Sequence, residues 1–358
     1  MNTDTLKNQP PSGSPIPVAV LGATGSVGQK FIQILENHPW FSIQALGASE
    51  KNAGKCYEEA VQWYLPTPIP ESVRRMTLQS CIPPMDVKLV FSALDASVAG
   101  DIETDFARAG YFVISNARNH RYDTQVPLLI PEVNPDHLRL LPHQGFKGGI
   151  ITNPNCSTTG LALALKPLYD DFGIRRLHVV TMQALSGAGY NAAATMNIDD
   201  NVIPFISGEE KKMEYESLKI LGQLDTDRIQ DASFSISAQC HRVNVSDGHL
   251  EAVSIELEKD VSPDQILRSW KNFHSLPREL GLPTAPAETL LYFHEPELPQ
   301  PKLQRDLNRG MTVSLGRLQN CPVLQYKFIL LSHNTMRGAA GGALLNAELL
   351  LRQGYLHA

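Results

Sequence analysis

The 358-residue chain has only five cysteines (Cys56, Cys81, Cys156, Cys240 and Cys321), scattered and odd in number. No CxxC pair or Cys/His ligand spacing occurs, which excludes a disulfide framework and gives no zinc site. No apolar run reaches the roughly 18 residues that cross a bilayer, and the polar opening MNTDTLKNQPPSGSP lacks the apolar centre of a secretory signal. That reading places the protein in the cytoplasm, with no membrane partner. There is no excess of one charge either: 31 Lys and Arg stand against 37 Asp and Glu, a net −6 with no like-charge block. The electrostatic footprint of a nucleic-acid binder is therefore missing, and a small-molecule partner is expected. No internal repeat or low-complexity tract is found.

What is present is an ordinary soluble composition, 42% hydrophobic and 19% charged, in a length suited to two domains. Residues 1–15 read as a flexible leader. From there PVAVLG (17–22), SVGQKFIQILENH (26–38) and FSIQALGA (41–48) read as strand, amphipathic helix and strand. VKLVFSAL (87–94) gives a further strand, Asp95 and Ser97 open a helix to about Arg108, and YFVIS (111–115) is a strand again. Repeated strand–helix–strand order predicts an α/β, Rossmann-type parallel sheet over 16–154.

After residue 154 the pattern changes. A helix at 157–173 precedes segments 175–187, 232–245, 249–258, 311–319 and 323–332, which alternate like antiparallel strands. They predict a mixed α+β catalytic and dimerisation domain over 155–333. Segment 276–310 carries little regular signal, and an amphipathic helix at 339–354 is expected to pack back, so that 334–358 completes the first domain.

Two stretches carry chemistry. GATGSVG sets Gly22, Gly25 and Gly28 at the first strand-to-helix turn, where side-chain-free backbone can approach a pyrophosphate at a helix N-terminus. At the end of the second strand Ser49 and Lys51 suit a 2′-phosphate while Glu50 opposes it, so NADP is favoured and NAD is left possible. In ITNPNCSTTG (151–160), Cys156 opens a helix, beside unpaired amides and the positive end of its dipole. That setting favours thiolate and a nucleophilic role, and the same amides could hold an oxyanion. A cysteine nucleophile beside a nicotinamide implies oxidation of an aldehyde through a thioester, or the reverse, and needs a proton donor or acceptor at the sulfur. His249 is the candidate. In HRVNVSDGH the Asp247-Gly248 turn would set Arg242 and His249 on adjacent strands.

GATGSVG, SALDASVAG (92–100), SNARNHR (115–121), NPNCSTTG (153–160), QALSGAG (183–189), GEEKK (208–212), RVNVSDGH (242–249) and SHNTMRGAAGG (332–342) together resemble the aspartate-semialdehyde dehydrogenase family. The likeness runs from about Pro17 to Arg352 and is greatest to its archaeal and fungal branch. It implies reversible NADP-dependent reductive dephosphorylation of L-aspartyl-4-phosphate to L-aspartate 4-semialdehyde, in lysine, methionine and threonine biosynthesis. By the same resemblance Cys156 is the nucleophile, His249 the acid/base, and Gln183 orients the acyl-enzyme. Arg242 takes the substrate carboxylate, Glu209 its ammonium, and Arg121 with Lys212 its phosphate, with Asn155 at the phosphate or oxyanion position. For the cofactor, Thr24, Gly25, Ser26 and Val27 meet the pyrophosphate, Ser49 and Lys51 the 2′-phosphate, Ser92 the sugar side, and Gly187 and Asn334 the nicotinamide. A homodimer or homotetramer is implied. Glu50-Lys51-Asn52 and Asn244 depart from the usual pattern of Ser/Arg-rich residues and proline at these places. Malonyl-CoA reductase and N-acetylglutamyl-phosphate reductase share the scaffold, and a non-catalytic nucleotide-binding homologue is the reading from another class.

Overall fold

A computed structural model describes residues 13–189 and 196–356. Most of the expected leader lies outside these residues. The first sheet is all parallel, in the order β3-β2-β1-β4-β5-β6, built from β1 (Ile16–Leu21), β2 (Phe41–Ala48), β3 (Gln79–Ser80), β4 (Leu89–Ser92), β5 (Phe112–Ser115) and β6 (Gly149–Thr152). Strand order reverses at β1/β4, the crevice where such sheets bind ligands. Helix α1 (Ser26–Leu35) covers one face, burying Phe31, Ile32 and Leu35. Helix α2 (Ala96–Ala109) starts where Asp95 accepts the Ser97 N–H and ends at left-handed Gly110.

The second sheet is mixed, in the order β10-β7-β11-β14-β13-β12. Its strands are β7 (Ile174–Gln183), β10 (Ser235–Arg242), β11 (His249–Leu257), β12 (Leu290–Phe293), β13 (Val313–Asn320) and β14 (Tyr326–Ser332); β8 (Gln223–Asp225) and β9 (Arg228–Gln230) form a separate ribbon. Helix α3 (Cys156–Phe172) packs on the sheet through Leu161, Leu165 and Leu168, and α4 (Glu209–Ile220) lies over β10. Helix α5 (Pro263–Lys271), entered through a Ser262/Gln265 capping box, packs beside them. The opposite face leaves Val180, Met182, Leu250, Ala252 and Ile329 half-buried.

Three expectations are corrected. The strands are not all antiparallel, since β10 runs parallel to β7, and β12 to β13. The roughly fifty residues between β7 and β10 make a crossover through α4, which returns the chain in the same direction. Arg242 and His249 therefore do not sit on adjacent strands: β7 lies between them, and residues 243–248 pass over its end, where Val243 N–H donates to the Gln183 carbonyl and Leu185 N–H to that of Val245. Segment 276–310, poor in signal, still contributes β12 as an edge strand.

Helix α6 (Gly341–Arg352) packs back as expected. Leu344, Leu345, Leu349 and Leu350 join Val18, Phe31, Ile32 and Phe91 in one core. A turn of π-helix, Met336–Ala340, leads into it and lies against the start of α3.

Candidate active site

The cysteine stands at the first position of α3, and Asn155 caps that helix. The Asn155 side-chain oxygen accepts the N–H groups of Ser157 and Thr158 at 3.0 and 3.2 Å. Those are the amides that the sequence suggested for the sulfur or an oxyanion, and the cap consumes them. The side chain's other end donates to Glu209, and its own N–H donates to Glu216. Asn155 is thus a fully engaged bracket under Cys156.

The Cys156 sulfur lies 3.2 Å from His249 Nε2. Gly338 passes so close that a Cβ there would be 2.7 Å from the Cys156 Cα and Cβ. Burial and the Glu209 carboxylate push the thiol up to about 12, against the pull of Arg242, Arg121 and Lys212. Burial and Glu209 thus oppose the thiolate that the helix start was expected to favour, and the amides of Ser157 and Thr158, taken by the cap, do not offset them.

Two ion pairs lie near the sulfur. Lys212 donates to Glu209 at 2.9 Å, one helical turn apart on α4. Burial pushes Glu209 up, but Lys212 and hydrogen bonds from Asn155 and Gln183 together hold it below the usual carboxylate value. Arg121 donates Nη1 to Glu216 at 2.9 Å and Nη2 to the Asn116 carbonyl at 2.9 Å. Its loop is fixed by the buried Lys219 ammonium, which donates to the carbonyls of Arg121, Asp123 and Val126. Glu216 was not singled out in the sequence. The signal was there, since 209, 212 and 216 follow the i, i+3, i+7 spacing of one helix face.

Arg242 and Gln183 close β10 and β7, and His249 opens the neighbouring β11, so the three stand at one edge of the sheet in the order β10, β7, β11. Arg242 donates to the Ala184 carbonyl at 2.6 Å, and Gln183 to the Thr181 hydroxyl at 3.3 Å. Gly187 crosses this row closely, for a Cβ on it would stand 2.8 Å from Arg242 and 3.1 Å from His249. Asn334 accepts the Gly248 N–H and donates to Ser186, tying the two turns together.

A cleft of about 600 Å³ is lined by Arg121, Asn155, Cys156, Gly187, Glu209, Lys212 and Asn334, and by Val27 at its far end. Val27 also lines a second cleft of about 950 Å³, with Gly22, Thr24, Gly25, Ser26, Ser49, Glu50 and Lys51. The two meet at the glycine turn. Gly22 has φ +76°, and a Cβ there would come within 2.6 Å of the Ala93 carbonyl oxygen, so the turn takes its shape only without a side chain. These residues fit a dinucleotide, with Ser49 and Lys51 exposed at the end of β2. Two expected cofactor residues do not line either cleft. Ser92 is fully buried, its side chain turned to Glu103, and Gly28 is buried where a Cβ would strike the Gly22 carbonyl oxygen at 2.3 Å. Gly28 serves helix-to-strand packing.

Residues 17–141 match the semialdehyde dehydrogenase NAD-binding domain, and 165–337 the semialdehyde dehydrogenase dimerisation domain. An aspartate-semialdehyde dehydrogenase of Methanothermobacter thermautotrophicus is 49% identical over 93% of this chain and 98% of its own length. One from Cryptococcus neoformans is 43% identical over 95% and 98%. The solved structure of aspartate-semialdehyde dehydrogenase with NADP from Candida albicans superposes with a TM-score of 0.88 at 40% identity, covering 96% of this chain and all of that one. With its parallel dinucleotide sheet, mixed second sheet and cysteine–histidine pair between them, the chain belongs to the aspartate-semialdehyde dehydrogenase family, alongside archaeal and fungal members.

Proposed function

We propose that the chain reduces L-aspartyl-4-phosphate to L-aspartate 4-semialdehyde, with release of phosphate, through a thioester on Cys156. The observation that carries this is the Cys156–His249 contact of 3.2 Å at the head of a cleft lined by Glu209 and by Arg121, Lys212 and Arg118. NADP, held by the turn Gly22–Val27 and by Ser49 and Lys51, supplies the hydride when bound.

Substrate charge matches site charge. Glu209 and Lys212 satisfy each other at 2.9 Å. A substrate bearing an ammonium and a phosphate offers each a new partner of the right sign, so binding exchanges one ion pair for two. Arg242, with Nη1 on a carbonyl, has a planar fork suited to the α-carboxylate. Arg121 presents its guanidinium beside Asn116, at the phosphate end. Gln183, buried and close to Glu209, orients the acyl group.

The reaction assembles on the sulfur. Attack on the acyl phosphate forms the S–C bond and breaks the C–O bond to phosphate, whose charge the neighbouring Lys212 and Arg121 receive. The imidazole of His249 faces the same sulfur and the oxygen that develops charge. A homodimer through the half-buried face of the second sheet completes the reading; Val180, Met182, Leu250, Ala252 and Ile329 would meet the same residues of a second copy. A cytoplasmic setting suits the biosynthetic role, and among the described residues no helix is long and apolar enough to cross a membrane. Substitution Glu209→Gln tests the substrate: activity on the aminated aspartyl substrate should fall at least a hundredfold, as expected for a lost charge-assisted contact, about 3 kcal/mol. Unchanged activity would remove the ammonium from the account.

A further inference from the structure

Helix α4 grips Arg121 twice. The guanidinium reaches Glu216 at 2.9 Å, and one turn further along the helix the Lys219 ammonium donates to the Arg121 backbone carbonyl at 2.7 Å. That ammonium also donates to the carbonyls of Asp123 at 2.7 Å and Val126 at 3.0 Å, and Lys219 is only 2% exposed. An ammonium carries three N–H donors and no acceptor, and here three carbonyl oxygens take them. A neutral amine has two N–H groups and a lone pair, so loss of the proton would set that lone pair against one of the oxygens.

The three carbonyls belong to one bend. Its N–H groups are paired locally, Arg121 to the Arg118 carbonyl, Asp123 to that of His120 and Val126 to that of Asp123. Residues 122–125 are exposed, whereas Arg121 and Val126 at the two ends are buried. The bend's outer side thus meets solvent while its inner carbonyls converge on one charged nitrogen. The helix that supplies this nitrogen also supplies Lys212 and Glu209 to the cleft, so a single rigid element sets Lys212 directly and Arg121 through Glu216 and Lys219.

We propose that Lys219, in its charged form, is a positioning residue for phosphate: by binding the carbonyls of Arg121, Asp123 and Val126 it keeps Arg121 in place at the phosphate end of the cleft, and affinity for phosphate depends on its proton. The proposal rests on the reading of Arg121 and Lys212 as the phosphate partners.

The surroundings set the pH range. Burial pushes the ammonium down to about 8, against the charges of Asp123 in the bend, Asp231 beyond β9 and Glu216 on α4. His137, in the short helical segment Pro135–Gln144, also faces it, and burial holds that imidazole below its ordinary value, so it is neutral in the alkaline range. A lysine shifted downward is charged at neutral pH and loses its proton as pH rises through the native value. The grip on the bend is therefore complete near neutrality and weakens above it.

The test is KM for phosphate in aldehyde oxidation with NADP, measured on full-length enzyme from about pH 7 to pH 9.5 for the wild type, Lys219→Arg and Lys219→Met. In the wild type KM should hold steady near neutrality and climb about tenfold or more by the alkaline end. A guanidinium stays charged throughout, so Lys219→Arg should keep the low KM and lose the climb. Lys219→Met should start about tenfold high, the worth of a charge-assisted contact, show no further climb, and affect kcat less than KM. The substrate's ammonium and the phosphate titrate alike in all three proteins, so the difference between profiles belongs to position 219. A flat wild-type profile, or the same climb in Lys219→Arg, would overturn the proposal, whether or not Lys219→Met folds. So would a loss of kcat in Lys219→Met with KM for phosphate unmoved, the mark of a lysine that only supports the fold. Arg121→Ala separates the two readings. If it leaves KM for phosphate unchanged, the phosphate assignment has failed; if it raises KM while the Lys219 profiles stay flat, the proposal alone has failed.

Discussion

Arg121 and Glu216 form a buried ion pair at 2.9 Å, and the second oxygen of Glu216 accepts the backbone N–H of Asn155, the residue before Cys156. One carboxylate thus fixes the guanidinium assigned to phosphate and the first turn of the helix that carries the sulfur. Removing it as Glu216→Ala leaves Arg121 buried without its counter-ion, and truncating one partner of such a pair costs about 3–5 kcal/mol. The midpoint of urea unfolding should fall accordingly. A change below about 0.5 kcal/mol would show that the pair is not the anchor described here.

Alkylation reads the state of the sulfur. With the Cys156 thiol pushed up to about 12, first by burial and then by Glu209, the rate of inactivation by iodoacetamide in substrate-free enzyme should keep rising through about pH 10 without a plateau. Replacing the carboxylate as Glu209→Gln removes a raising influence and should speed alkylation several-fold at a fixed pH. A plateau near neutrality would mean that a resting thiolate exists after all.

Glu251 gives a pH dependence of stability. It is fully buried with both carboxyl oxygens unpartnered, and burial, aided by Glu209, holds it protonated well above the usual range. The unfolded chain loses that proton above about pH 4.3, so unfolding releases a proton and stability falls as pH rises from there toward the native value. The slope from this group is at most about 1.4 kcal/mol per pH unit. Glu251→Gln, neutral throughout, should flatten the stability profile above pH 4.3, measured by urea titration at several pH values. An unchanged profile would place a counter-charge beside Glu251.

Much of this arrangement was legible beforehand. The glycine turn, the strands that flank it and the cysteine at a helix start announce themselves through local chemistry: backbone freedom, alternation and capping. The partners of the charged residues did not. Glu216 is one of many acidic residues on helices, and only the fold shows that its two oxygens reach Arg121 and Asn155. The hairpin expected between Arg242 and His249 failed because a turn sequence reports a local bend, whereas the insertion of β7 between the two strands is decided by a crossover some fifty residues long. The helix dipole at Cys156 was read correctly as a feature, but its effect depends on whether the first amides are free, and Asn155 takes them. Ser92 ends the right strand yet faces inward, since a strand alternates its sides and the inward one belongs to Glu103.

Lys51 is the residue proposed to favour NADP over NAD. It is exposed at the end of β2 beside Glu50, so the contact with a 2′-phosphate proposed for it would be solvent-screened. Lys51→Ala should raise KM for NADP roughly three- to tenfold and leave KM for NAD nearly unchanged, with kcat little affected. An equal change for both cofactors would remove the 2′-phosphate from this loop.

Gly338 sets the room around the sulfur. A Cβ 2.7 Å from two Cys156 atoms cannot be accommodated without moving the helix start, so Gly338→Ala should lower kcat about a hundredfold, the cost of a misplaced reacting atom, in protein that still folds. Full activity would mean that the π-turn before α6 yields easily.

The central claim is tested most directly by phosphate-dependent reduction of NADP with L-aspartate 4-semialdehyde, run beside Cys156→Ala. The account predicts turnover that requires phosphate and disappears in the variant. Turnover that persists without the sulfur, or well-folded protein that is silent on this substrate yet oxidises NADPH with malonyl-CoA, would contradict it.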